Sequence, residues 1–89
     1  MKFDFDAIVH VIKLKVIEIA RSLDIDASGV QADDILPATG VIDSSGLMEL
    51  IAWFEGAYDL HIPNEDFTID NLGSMTQMTH YLLRCKGNL

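Results

Sequence analysis

The sequence predicts an all-α fold: a small four-helix bundle of three main helices and one short one, with a long first loop. Three observations predict it. Apolar residues recur at helical spacing in separate stretches. Two of those stretches follow residues that cap helices, Asp43 and Ser74. No segment reads convincingly as a strand.

The first helix is expected over 6–22. Phe5, Ile8, Val9, Ile12, Val16, Ile19 and Leu23 fall at helical spacing, with Lys13, Lys15, Glu18 and Arg21 mostly on other faces. A long link follows, 24–43, with Gly29, Pro37 and Gly40 set between short apolar pieces such as Ile35-Leu36. Loops this long are uncommon in a compact domain and often functional. Residues 33–36 are expected to make a turn of helix and no more.

The second helix is expected over 44–58. Asp43 serves as its N-cap, and Ile42 sits where a hydrophobic staple would meet Leu47. Leu47, Leu50, Ile51, Phe54, Ala57 and Tyr58 form the buried stripe, while Met48, Glu49, Ala52 and Glu55 fall on other faces. Trp53 is read as a rim residue whose ring covers the end of the first helix. Pro63 breaks the chain after Leu60-His61-Ile62, and 68–72 can form one short helical turn capped by Thr68. The last helix should start at Ser74, because Ser74-Met75-Thr76-Gln77 reads as a capping box. Met75, Met78, Tyr81 and Leu82 make its apolar face, and Gly87 is expected to end it.

Composition narrows the function. The 89 residues are expected to form one domain, 1–89. Hydrophobic residues make up 49% of the chain, which excludes disorder. There are 14 acidic and 6 basic side chains, a formal charge of −8. Nucleic acids and anionic membranes need clustered Lys and Arg, so the balance argues against both and favours basic protein partners. Cys85 is the only cysteine, so no internal disulfide can form and a reducing cytoplasm is the expected compartment. No apolar run approaches the ~20 residues needed to span a bilayer, and the start lacks the basic region of a signal peptide. His10, His61 and His80 have no metal-ligand spacing, and no Ser/His/Asp or paired-carboxylate constellation can be tied together. No catalytic residue and no metal site is therefore assigned.

The most informative stretch is Gly40-Val41-Ile42-Asp43-Ser44-Ser45-Gly46-Leu47-Met48-Glu49-Leu50. A glycine turn runs into Asp-Ser and then into an amphipathic helix. That order sets a hydroxyl at a helix N-terminus, where unpaired N–H groups and the macrodipole stabilise a phosphate. A serine so placed on a small acidic domain reads as an attachment point and not as a nucleophile.

These residues resemble the acyl carrier and peptidyl carrier protein family. The resemblance covers about 8–83 and rests on Gly40 to Ser44, the Leu47-to-Ile51 helix, the Ile62-Pro63 step, and the short-then-long helix ending. It implies that Ser44 bears a covalent 4′-phosphopantetheine arm, installed from coenzyme A by a magnesium-dependent phosphopantetheinyl transferase that also recognises Asp43. It further implies a discrete carrier that holds an acyl or aminoacyl group as a thioester and performs no catalysis itself. Its partners would be that transferase, a loading ligase or acyltransferase, and a downstream synthase, met by a monomer. Fatty acyl, polyketide and aminoacyl cargoes all stay open. Ser45, Met48, Glu49, Ala52 and Glu55 would face partners. The chain departs from the family where Ser45 replaces a bulky apolar residue and where Gly56 replaces an acid. Gly46 lowers helix propensity in the first turn and is read as leaving room for a partner or for the arm.

Two rivals differ in class. Asp24, Asp26, Ser28 and Gly29 copy the first half of an EF-hand calcium loop, but Ile35 stands where its bidentate glutamate belongs. A small acidic helical adaptor without a prosthetic group explains the bundle and the charge but gives no reason for Gly40 to Ser44.

Overall fold

The computed structural model describes residues 4–86 and is all-helical. Its elements are α1 (Phe5–Arg21), α2 (Leu36–Thr39), α3 (Ser44–Ala57), a 3₁₀ turn (Asn64–Asp66), α4 (Ile69–Leu72) and α5 (Met75–Cys85). The three main helices stand as expected, but two short α-helices accompany them instead of one. Gly87, the expected end of the last helix, lies outside the described residues.

α1 begins where the Asp4 carboxylate accepts the Asp6 N–H at 3.1 Å, and Arg21 in its last turn complements the helix dipole. Ile8, Ile12, Val16 and Ile19 are buried, as the periodicity requires, but Leu23 is 47% exposed. The helix has already ended before Leu23. Asp24 takes a left-handed φ of 60° there, and the chain leaves the line of the helix.

The first link is tied down at several points. Ala27 and Val30 are buried, the Leu36 N–H donates to the Gly73 carbonyl at 2.8 Å, and the Thr76 N–H donates to the Ala32 carbonyl at 3.0 Å. Its helical turn lies at α2, a little further along than the sequence suggested. Pro37 suits a first helical turn, and Gly40, at φ 80°, closes it. The 3₁₀ turn is held from a distance, since the Tyr81 hydroxyl on α5 donates to Asp66 Oδ2 at 2.7 Å.

The core lies between α1, α3 and α5. Ile12, Val16, Leu50, Phe54, Met75, Met78 and Leu82 are all fully buried. Burying each such side chain contributes about 1.5–3 kcal/mol. Thr68 and Ser74 cap α4 and α5 by accepting the N–H groups of Asn71 and Gln77. On α3, Leu50, Ile51 and Phe54 are buried and Leu47 and Tyr58 are half-buried, while Ala57 is exposed and leaves the expected stripe. Trp53 lies beside the middle of α1, with Lys15 Nζ 6.0 Å from its ring centroid, and does not cover a helix end. Ile19 faces Gly46 and Lys15 faces Trp53, so α1 and α3 run antiparallel.

Candidate functional site

Helix α3 starts on a charged cap. Asp43 has extended backbone, and its Oδ1 accepts the Gly46 N–H at 2.8 Å while its carbonyl accepts the Leu47 N–H at 2.9 Å. The cap satisfies one of the orphan donors of the first turn. It also fixes where the next residue begins. Ser44 is the first helical residue, and it is exposed. It stands at the positive end of the dipole of a 14-residue helix, in the turn whose N–H groups lack intrahelical partners.

Ser44 therefore offers a free hydroxyl on a rigid element, in a field that favours a phosphodiester. Such a group would be held through the Ser44 oxygen, with the helix mouth stabilising its negative charge. When attached, a 4′-phosphopantetheine arm supplies a terminal thiol for a thioester.

Ser45, Met48, Glu49 and Ala52 share one face of α3, at i, i+3, i+4 and i+7, and all four are exposed. Met48 is 52% exposed, unusually open for its type. Glu55 departs from this group. It is half-buried, and its Oε2 accepts the backbone N–H of Ile62 at 3.0 Å, so its carboxylate holds the chain after α3. Ile62 is only 4% exposed. Glu55→Ala should therefore cost about 1–2 kcal/mol by leaving a buried donor unpaired. Glu55→Gln keeps an acceptor and should cost less than half as much. Urea denaturation of the two variants checks this.

Gly46 leaves no room for partner or arm. It is buried, and a Cβ there would lie 3.1 Å from Ile42 Cβ, 3.3 Å from Ile19 Cγ2 and 3.4 Å from Asp43 Oδ1. The space belongs to the packing of α3 on α1. Asp26, offered above as a calcium ligand, has its Oδ1 engaged by the Ser28 N–H at 3.0 Å, and that bond holds its carboxyl below the usual range. Among the described residues, no group of three or more His, Cys, Asp or Glu is placed to hold a metal ion.

Two surface features were not legible in the sequence. Ile69 on α4 is 46% exposed, although it carries no polar signal. An open groove of about 290 Å³ between α1 and α3 is lined by Val11, Leu14, Lys15, Glu18 and Trp53. On its α1 side Lys15 pairs with Glu18, three residues on along the same helix, at 2.5 Å.

A family model described as a phosphopantetheine attachment site matches residues 16–79. Among curated proteins, the chain is similar to a D-alanyl carrier protein of Streptococcus sanguinis (strain SK36). The two are 39% identical over 61 residues, spanning 67% of this chain and 76% of the relative. Proteins of the same name from Streptococcus gordonii and Streptococcus thermophilus are 38% identical over the same extent. No solved structure gives a significant match.

Proposed function

Because this chain belongs to the phosphopantetheine-attachment family of carrier proteins, we propose that Ser44 is its attachment serine and that its cargo is a small aminoacyl group, D-alanyl. The observation that carries the first part is the exposed Ser44 hydroxyl at the head of α3, directly after the Asp43 cap and inside the matched region. The name shared by the relatives supports the second part.

In this reading each residue has a limited task. Ser44 bears the arm through its oxygen. Asp43 fixes the turn and offers its outer carboxylate oxygen to the transferase. Ser45, Met48, Glu49 and Ala52 form the face on which transferase, loading ligase and acceptor enzyme dock in turn. The 89 residues act as one monomeric domain and catalyse nothing themselves. No helix among the described residues is long and apolar enough to cross a membrane. The lone, exposed Cys85 suits a reducing cytoplasm.

Successive docking needs moderate, salt-sensitive affinity. Glu49→Lys is expected to lower kcat/KM for arm transfer or cargo loading about threefold to tenfold at low salt, with a smaller loss at high salt. The melting curve should hardly move, as for most surface substitutions. Equal rates for variant and parent at low salt would remove Glu49 from the docking face.

The cargo is tested on the arm-bearing protein with ATP and an adenylating ligase for D-alanine. The expected result is a mass gain of one alanyl group, released by hydroxylamine as a thioester should be. Loading with medium-chain acyl groups by an acyl ligase, but not with D-alanine, would point to an acyl pathway instead.

A further inference from the structure

We propose that Gly46 is a positioning residue for arm attachment: its missing side chain lets the first turn of α3 close onto Ile42 and α1, which sets the Ser44 hydroxyl where the transferase must find it. The inference rests on the reading of Ser44 as the attachment serine.

The geometry converges on one backbone atom. From the Gly46 Cα, a methyl group would meet Ile42 Cβ at 3.1 Å, Ile19 Cγ2 at 3.3 Å and Asp43 Oδ1 at 3.4 Å. The two nearer approaches are tighter than ordinary van der Waals contact. Two of the three atoms belong to the residues directly before Ser44. The third belongs to α1, and Ile19 is 3% exposed, so it has little freedom to retreat. The Gly46 N–H is also the donor that holds the Asp43 carboxylate, at 2.8 Å. A methyl at 46 requires these neighbours to give by a few tenths of an ångström, and yielding at Ile42 or Asp43 moves the turn that carries Ser44.

The fold should tolerate the change far better than the chemistry does. Alanine gains helix propensity over glycine and narrows the unfolded ensemble, which offsets much of the crowding. Group transfer is less forgiving, because small misplacements of a reacting atom cost large factors in rate. Stability and transfer are thus expected to separate at this one position.

The test compares the parent, Ser44→Ala, Gly46→Ala and Gly46→Ala/Ile19→Ala. Arm transfer from coenzyme A is followed by intact mass, and thermal melting is recorded alongside. For Gly46→Ala we expect a melting temperature within about 5 °C of the parent. Its kcat for transfer should fall about tenfold, with KM changed less than twofold because the docking face of α3 stays in place. The double variant removes the α1 obstacle. It should melt lower than Gly46→Ala yet transfer faster, an order that a purely structural role cannot give. Gly46→Ala with parental kcat would overturn the inference while leaving Ser44 in place. So would a kcat loss matched by collapse of the melting transition and deepened in the double variant. A parent that acquires no arm, beside a control carrier that does, would overturn the Ser44 reading and this inference together.

Discussion

Ser44→Ala should acquire no arm at all, while Ser45→Ala still acquires one arm, at a rate lowered only by the loss of one docking contact. The two serines are adjacent and both exposed, so exposure does not choose between them. We propose that their places on the helix do. Successive helical residues are rotated by about 100° and displaced by about 1.5 Å along the axis, so their hydroxyls leave the helix in different directions. Ser44 heads the helix next to the Asp43 cap, whereas Ser45 lies on the same face as Met48, Glu49 and Ala52. In the proposed arrangement, a transferase docked on that face would bring its donor phosphate to the helix mouth and the Ser44 oxygen. Without that oxygen no phosphodiester can form there, and the neighbouring hydroxyl is out of line for transfer. Intact mass after incubation with coenzyme A, magnesium and a broad-specificity phosphopantetheinyl transferase reads the outcome directly. Arm attachment to Ser44→Ala at the parental rate would contradict the assignment.

The largest effect on stability is expected from Phe54→Ala. Phe54 is fully buried on α3 and packs edge-on against Tyr58, with ring centroids 5.3 Å apart. Truncation removes a large apolar surface and leaves a cavity that a close-packed interior fills only partly. The cost should be about 3–5 kcal/mol. For a domain of this size that lowers the melting temperature by roughly 12 °C or more. Because Phe54 and Ser44 lie on one helix, arm transfer to this variant should fail at the temperature where the fold fails, and proceed normally below it. Differential scanning calorimetry with a parallel transfer assay checks both. A melting temperature within about 4 °C of the parent would show that Phe54 is not the core anchor it resembles.

Much of this fold could be read from local signals. The caps at Asp43, Thr68 and Ser74 act within three residues of themselves, and the apolar spacing of α1, α3 and α5 is a property of each helix alone. The same holds for Ser44, whose exposure follows from the cap before it. What the sequence hid depends on contacts between distant residues. Glu55 reads as a partner-facing acid on α3, but the backbone N–H of Ile62 reaches it seven residues later. Gly46 reads as an opening for a ligand, but the space beside it is taken by Ile19, from a different helix. Leu23 fits the period of α1 by spacing, yet the helix stops two residues short of it. The 3₁₀ turn at 64–66 has little local signal, and a hydrogen bond from Tyr81, fifteen residues away, holds it.

The central claim is that the arm sits on Ser44, and site mapping tests it most directly. Trypsin serves poorly, since no Lys or Arg occurs between Arg21 and Arg84. Cleavage after acidic residues instead releases 44–49, bounded by Asp43 and Glu49, with both serines in one short peptide. Fragment masses of that peptide from arm-bearing protein should place the added group on Ser44, with Ser45 unmodified. The added mass on Ser45, or an unmodified 44–49 peptide from protein whose intact mass shows the arm, would contradict the account.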